Sequence, residues 1–277
     1  MFDLKDKVIV VTGAAGTLCS AIVEDFAKNG ARVALLGRTR SKVVALSEKL
    51  NNEGCCTLGI CADVTSELDL KEALAIIKEN WGDPDILING AGGKDHRALT
   101  EGVEFTPEEL SGDANGFFGI HSEAFDAELA MNIQGTVLPS KIFGAGIARK
   151  GKGSIINFAS MNSYRPLSRA PAYAIAKAGI LNFTQWLAAY LAPAGVRVNA
   201  VAPGFFINER SRKLLMTDDG GFSERGQQVV SHTPMKRFGE AAEMVGAVRY
   251  LIDDQQAAFV TGICLPVDGG FLSCSGL

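Results

Sequence analysis

Short apolar runs alternate with amphipathic segments along the chain, and this alternation predicts the fold. Residues 8–11 read Val-Ile-Val-Val, and the segment that follows places Leu18, Ile22 and Phe26 four residues apart. A short apolar run indicates a buried strand, whereas apolar residues four apart indicate one face of a helix. The runs that predict strands are 8–11, 33–36, 56–60, 86–88, 155–158, 196–201 and 265–267.

Helical segments separate these runs, for example at about 41–52 and from an N-cap at Ser66 to Lys78. Buried parallel strands joined by right-handed helical crossovers form a doubly wound α/β sheet. We therefore predict a single-domain, Rossmann-like fold of about seven strands over residues 1–277, with helices on both faces. Pro266 has no amide hydrogen to donate, so the last strand is expected at an edge of the sheet.

Two long stretches, 94–122 and 208–239, do not fit the regular alternation. Each follows a predicted strand, at the end of the sheet where folds of this class bind ligands. Long loops in that position are commonly lids or specificity loops. We interpret the first stretch as an insertion and the second as a substrate loop; surface excursions without a function are the alternative.

Composition and charge narrow the function classes. The net charge is −4 and no long basic run is present, which argues against nucleic acid as a partner. No window of eighteen uncharged apolar residues predicts a membrane span, and the charged first residues do not resemble a signal peptide. The six cysteines and three histidines show no metal-ligand spacing, so we expect no metal site. We expect a cytoplasmic protein that acts on a small molecule.

The turn after the first strand, TGAAGTLC at 12–19, is a candidate phosphate site. Glycines can form the turn, and the amides at the start of the next helix can face a pyrophosphate. Thr17 stands where a glycine often allows the backbone to approach a phosphate closely. Cys19 stands where a small residue is needed for the helix to pack against the strand. An ordinary strand-to-helix turn is the alternative. The candidate contacts here are Gly13, Ala15, Gly16, Thr17 and Leu18.

The end of the second strand bears on the choice of dinucleotide. Folds that use NAD usually carry an acid there to bind the ribose hydroxyls, but this chain has Gly37 followed by Arg38. A carboxylate would repel a 2′-phosphate, whereas an arginine can bind it with two hydrogen bonds. The cofactor is therefore NAD or NADP, and the missing acid favours NADP with Arg38 as a contact. Alternatively, Arg38 and Arg40 are only solvated residues at the start of a helix.

A Tyr-x-x-x-Lys pair at Tyr173 and Lys177 is the strongest chemical signal. Residues four apart on a helix share a face, and an ammonium near a phenol is expected to lower the phenol's pKa. Tyr173 would then donate and accept a proton near neutral pH. Ser160 ends the fifth predicted strand, Asn132 lies in a predicted helix, and Asn-Gly-Ala-Gly at 89–92 follows the fourth strand.

In this order the motifs resemble those of the short-chain dehydrogenase/reductase family, over almost the whole chain. The resemblance implies that Tyr173 is the general acid/base and that Lys177 lowers its pKa and holds the nicotinamide ribose. It implies that Ser160 hydrogen-bonds the substrate oxygen and that Asn132 supports a water in the proton relay. The motifs are T-G-x-x-G at 12–16, Asp63-Val64, N-G-A-G at 89–92, Asn132, Ser160, Y-x-x-x-K at 173–177, N-A-V-A-P-G at 199–204 and V-D-G-G at 267–270.

The same resemblance implies further cofactor contacts. Asp63 and Val64 are expected at the adenine. Asn208 stands where the family often has a threonine that binds the nicotinamide amide. The remaining expected contacts along the cofactor are Asn89, Gly90, Ala91, Pro203, Gly204 and Phe206.

Within the family the finer detail resembles the D-mannonate oxidoreductases, also called fructuronate reductases. This resemblance implies a keto sugar acid as substrate, D-fructuronate or D-mannonate, and a homotetramer packed through helices beginning near Glu123 and Pro171. The features that carry it are the Leu-Cys ending of the first turn, Asn89–Gly93 with His96 nearby, the 94–122 insertion, segment 160–173, Pro203–Phe206 and the tail 266–271.

A sugar acid needs polar donors and a cation for its carboxylate. We expect Ser160, Asn162, Arg165, Arg169 and Arg210 to contact the substrate, with Arg212 as a further candidate cation. Two alternatives stay open: a reductase of another polyol or keto acid, such as 5-ketogluconate, and a dinucleotide-binding regulator without turnover. The intact set of Asn132, Ser160, Tyr173 and Lys177 favours an enzyme, because a pure binder has no need of Tyr173.

Overall fold

The computed structural model describes residues 3–112 and 114–274, except for the side chains of Glu209 and Arg210. Seven strands form one parallel sheet in the order β3-β2-β1-β4-β5-β6-β7. This confirms the predicted doubly wound sheet, and no predicted strand end is displaced by more than two residues. The strands are β1 (Val8–Thr12), β2 (Arg32–Gly37), β3 (Cys56–Cys61), β4 (Ile86–Asn89), β5 (Gly153–Phe158), β6 (Val196–Pro203) and β7 (Cys264–Val267).

Ten α-helices in the described ranges connect the strands and cover the sheet. None of them is long and apolar enough to cross a membrane. They are α1 (Thr17–Lys28), α2 (Arg40–Asn52), α3 (Glu67–Trp81), α4 (Glu108–Ser111), α5 (Ser122–Leu129), α6 (Gly135–Arg149), α7 (Pro171–Leu191), α8 (Glu209–Leu215), α9 (Glu224–His232) and α10 (Ala241–Ile252).

A hydrophobic core lies on each face of the sheet, because successive side chains of a strand point to opposite faces. In β1, Ile9 and Val11 pack into the core that contains residues of α1 and α10. Val8 and Val10 pack into the opposite core, with residues of α3, α6 and α7. Both faces of β1 are fully buried, which explains its unbroken apolar sequence.

Two predictions for single residues are confirmed: Ser66 caps a helix, and Pro266 lies in an edge strand. Ser66 caps α3 by accepting a hydrogen bond from the Asp69 amide. Pro266 lies in β7, and β7 is an edge strand of the sheet. An edge strand tolerates a residue without an amide hydrogen, because one of its sides has no strand partner.

The two irregular stretches contain short helices, which the sequence analysis did not predict. Residues 94–122 carry α4, and 208–239 carry α8 and α9. Ser223 caps α9 by accepting from the Gly226 amide, a local signal that was missed. The first stretch is joined to the segment before α7: the Thr100 amide donates to the Arg169 carbonyl at 3.0 Å, and Arg169 Nε donates to the Thr100 carbonyl at 2.7 Å.

Candidate active site

The turn between β1 and α1 leaves its amide donors available to a ligand. Gly16 is the N-cap of α1 and supplies no side-chain cap, and the first turn of the helix contains no acidic residue. The first amides of a helix have no acceptor within the helix, so those of Thr17 and the next residues are free to bind an anion. This donor set fits a pyrophosphate, as predicted for Gly13, Ala15, Gly16, Thr17 and Leu18.

The turn is packed directly against the loop after β4. Gly13 has φ +63°, and a Cβ at this position would approach the backbone of Ala91 at 2.9 Å. The Thr12 hydroxyl accepts from the Gly90 and Ala91 amides, each at 3.1 Å. Cys19 is 3% exposed beside Gly90, and burial raises its thiol pKa to about 12. Cys19 therefore acts as a small packing residue.

A cleft of about 530 Å³ runs from this turn along the carboxyl ends of the strands. It brings together most of the predicted contacts. Those that line it are Gly13, Ala15, Gly16, Thr17, Leu18, Arg38, Gly90, Ala91, Ser160, Tyr173, Lys177, Pro203, Gly204 and Phe206. It is also lined by Asn208, at the place of the family's threonine, and by Lys42 and Lys94, which the sequence analysis missed because neither belongs to a motif.

At one end of the cleft, basic residues stand where an acid would bind a ribose. Arg38 and Lys42 line the cleft, and neither forms an ion pair with a described residue. A Cβ at Gly37 would approach Val43 Cγ1 at 2.9 Å, so the Val43 side chain leaves little room for an acidic side chain. This end of the site carries uncompensated positive charge.

Ser160 lies just after β5, and its hydroxyl is oriented by its neighbour Asn162. Ser160 Oγ accepts from the Asn162 amide at 3.2 Å and from Asn162 Nδ2 at 3.4 Å. Asn162 Oδ1 accepts from the Leu167 amide at 2.7 Å, which fixes the orientation of the side-chain amide. Because the serine oxygen accepts both bonds, its own proton remains available to a ligand in the cleft.

Tyr173 and Lys177 lie on the first turns of α7, and their pKa values differ from the prediction. Lys177 is 3% exposed, and its Nζ donates to the Phe158 carbonyl at 2.7 Å, 5.5 Å from the centre of the Tyr173 ring. Burial lowers the Lys177 pKa to about 8. Burial also raises the Tyr173 pKa to about 12, against a smaller opposing effect of Ser160. The predicted lowering of the phenol pKa is therefore wrong for the chain without cofactor, since burial raises the pKa more than Ser160 lowers it.

Asn132 is fully buried and holds the loop after β4. It lies in a π-helical turn at Ala130–Gln134, between α5 and α6. Its Nδ2 donates to the carbonyls of Gly93 and Glu128, both at 2.8 Å, and its Oδ1 accepts from the Gly93 amide at 3.3 Å. π-Helical turns often occur at functional sites. Here the turn directs the asparagine to the backbone beside Lys177.

Several other predicted contacts lie outside the lining of the cleft. Asn89 is buried and donates to Ser140 and Asn157, so it joins β4 to β5 and α6. Asp63 Oδ1 accepts from the amide and the hydroxyl of Thr65. The residues that do not line the cleft are Asp63, Val64, Asn89, Asn132 and Asn162.

The predicted arginines have other partners in the structure. Arg165 donates to the Cys274 carbonyl at 3.1 Å, and Arg169 donates to Thr100 as described above. Arg212 is exposed on α8. None of these three lines the cleft, and the side chain of Arg210 lies outside the described residues.

Comparisons with known proteins agree with this geometry. A family model described as enoyl-(acyl carrier protein) reductase, a branch of the short-chain dehydrogenases/reductases, matches residues 13–272. An uncharacterized oxidoreductase of Bacillus subtilis, UxuB, is 40% identical over 275 residues, which are 99% of this chain and 98% of the relative.

Solved structures extend the likeness to three dimensions. A Haemophilus influenzae protein provisionally assigned as a D-mannonate oxidoreductase, crystallised with NAD, has a TM-score of 0.93 and 38% identity, covering 100% of this chain and 98% of its own. A second solved structure is that of a Beutenbergia cavernae protein provisionally assigned as an NAD(P)-dependent gluconate 5-dehydrogenase, with NADP at low occupancy. It has a TM-score of 0.81 and 28% identity, and the match covers 98% of this chain and 99% of that one. The chain therefore belongs to the short-chain dehydrogenase/reductase family of oxidoreductases.

Proposed function

We propose that this oxidoreductase transfers hydride between NAD(P) and a keto sugar acid, with D-fructuronate and D-mannonate as the substrate pair. The observation that carries the reaction class is the convergence of Ser160, Tyr173 and Lys177 on one cleft that begins at the phosphate turn. The likeness to the NAD-bound Haemophilus protein supports the choice of substrate.

The roles of the side chains follow from their contacts. A bound nicotinamide supplies or accepts the hydride. Ser160 donates its free proton to the substrate oxygen, and Tyr173 gives a proton to that oxygen or takes one from it. Lys177 keeps one N–H on the Phe158 carbonyl and has two others for a ribose hydroxyl. Asn132 holds the Gly93 backbone beside them.

For the cofactor we propose a preference for NADP. Arg38 and Lys42 line the end of the cleft where the adenosine ribose would lie, and Val43 occupies the space of an acid at Gly37. Two cations without an acid favour a 2′-phosphate over a free hydroxyl.

We further propose assembly through α7, as part of a homotetramer. Ile175, Trp186 and Tyr190 are 54%, 57% and 68% exposed on this helix. Phe183, Trp186 and Tyr190 stack in a continuous row. Large exposed apolar patches commonly mark protein interfaces.

Steady-state assays of NADH and NADPH oxidation with a panel of keto sugar acids and neutral ketoses test the function. We expect D-fructuronate to have the highest kcat/KM. Turnover confined to uncharged or hydrophobic ketones would contradict the substrate class, and a preference for 5-ketogluconate would replace the substrate pair.

The variant Tyr173→Phe separates an enzyme from a dinucleotide-binding regulator. We expect turnover to fall by about 10³-fold or more, with the Kd for the cofactor nearly unchanged. Unchanged turnover in Tyr173→Phe would show that the proposed general acid/base is wrong.

A further inference from the structure

A cation of the first irregular stretch lies beside the phenol of Tyr173. Lys94 lines the cleft, and its Nζ is 4.5 Å from the centre of the Tyr173 ring. Lys94 is an exposed residue, so its ammonium is accessible to a ligand in the cleft.

Behind Lys94 lies a buried carboxylate. Glu128, on α5, is 3% exposed, and its Oε2 accepts from the Asp95 amide. Its Oε1 is buried without a hydrogen-bond partner among the described residues. Burial raises the Glu128 pKa, whereas the Asp95 amide and the charge of Lys94 lower it. Glu128 therefore holds the backbone of the residue next to Lys94.

The arrangement leaves positive charge facing the open side of the site. Among the described residues Lys94 forms no ion pair, although the charge of Glu128 acts on it to raise its pKa. An exposed ammonium held over an aromatic ring remains available to an anion that enters the cleft. A carboxylate of the substrate would complete this charge set.

We propose that Lys94 binds the carboxylate of the substrate and that Glu128 positions Lys94. The subsite rests on the proposed function, because it assumes an acidic substrate whose ketone meets Ser160 and Tyr173. It gives the first irregular stretch a task, since that stretch supplies the cation for the carboxylate.

The structure favours Lys94 over the arginines expected from the sequence. The side chains of Arg165 and Arg169 donate to backbone carbonyls at other places, and Arg212 is solvent-exposed outside the cleft. Lys94, in contrast, lines the cleft beside the reacting phenol.

The test compares D-fructuronate with D-fructose, which keeps the ketone and has a hydroxymethyl group in place of the carboxylate. We expect Lys94→Met to lower kcat/KM for D-fructuronate by about 30-fold or more, with less than about a threefold change for D-fructose. Glu128→Gln should raise KM for D-fructuronate by about fivefold while kcat stays within about twofold, a split that general loss of structure would not give.

The exposed Lys213→Met and Arg212→Gln serve as matched controls and should resemble the wild type. Cofactor Kd values, measured by fluorescence, should be equal in all variants and show that each is folded. One outcome overturns the subsite alone. If the wild type reduces D-fructuronate, but Lys94→Met lowers kcat/KM equally for both substrates or for neither, the subsite is wrong and the proposed function stands. A selective loss in Arg212→Gln with none in Lys94→Met also overturns the subsite. A wild type that reduces no keto sugar acid overturns the proposed function, and the subsite with it.

Discussion

At the scale of single residues, the sequence identifies the reactive groups but not their environment. The spacing of Tyr173 and Lys177 and the position of Ser160 suffice to place them in one cleft. The direction of the Tyr173 pKa was wrong because burial depends on packing around α7, which spacing does not reveal. Lys94 was missed for a similar reason, since only the fold brings the loop after β4 to Tyr173.

Asn162 shows how a predicted substrate contact acts through its neighbour. Its amide N–H groups both point to Ser160 Oγ. We predict that Asn162→Ala lowers kcat by about 10-fold, because the serine hydroxyl loses its fixed orientation. In a double-mutant cycle with Ser160→Ala, the second substitution should have little further effect. Additive losses would instead indicate that Asn162 contacts the substrate directly.

The buried ammonium of Lys177 predicts a pH-dependent stability. Its pKa is about 8 in the folded chain, against 10.5 for an unperturbed lysine. Below pH 8 both states are protonated and the folded state carries the cost of the buried charge. As the pH rises from about 8 to about 10.5, the folded state loses its proton first, so wild-type stability increases relative to a variant without this group.

Lys177→Met should therefore be more stable than the wild type at pH 7. The difference in the free energy of unfolding between the two proteins should shrink by about 3 kcal/mol towards pH 10.5. Urea unfolding of both proteins without cofactor, at pH values from 7 to 10.5, measures the difference. Other titrating groups are common to both and cancel. A difference that stays constant with pH would contradict the depressed pKa.

At the scale of elements, the strands were predicted to within two residues of their ends, because each buried strand is an apolar run. The short helices α4, α8 and α9 were missed, since few turns of helix give too little periodicity to detect. In the β2–α2 turn the structure explains a feature of the sequence. Position 37 carries no acid, and an acidic side chain there would contact Val43.

This turn predicts how the cofactor preference can be changed. Gly37→Asp should lower NADPH affinity by about 10-fold or more through repulsion of the 2′-phosphate, with no gain for NADH because the new side chain meets Val43. The double variant Gly37→Asp with Val43→Ala should then gain NADH affinity. Fluorescence titrations with both dinucleotides measure these changes. Lys42→Met is the control and should weaken NADPH alone; an equal loss of both would contradict the phosphate site.

At the scale of the whole molecule, the exposed aromatic row on α7 predicts association. Trp186→Glu places a charge in the middle of this row, and the buried residues of α7 lie on its other face. We expect the variant to have a lower mass than the wild type by light scattering at equal concentration. Phe105→Glu, on an exposed aromatic group in the first irregular stretch, is the control. An unchanged mass in Trp186→Glu would exclude α7 as the interface.

Residues 101–112 of the first irregular stretch have few buried contacts, whereas β1 and β5 are buried throughout. They are almost entirely exposed, and Thr100 before them joins Arg169 through the two hydrogen bonds described above. Segments with few buried contacts open at a lower free-energy cost than the global unfolding of a protein. Residues 101–112 can therefore open by local unfolding while the sheet stays folded.

Hydrogen exchange followed by mass spectrometry measures that opening. Peptides covering 100–112 should exchange at least about 100-fold faster than those of β1. Saturation with cofactor and D-fructuronate should slow exchange at 93–100, and D-fructose should do so much less. Equal protection across both regions would show that the stretch unfolds only with the whole protein. Opening of this kind would let a substrate enter. The bound substrate would then order, through its binding energy, the loop that recognises it.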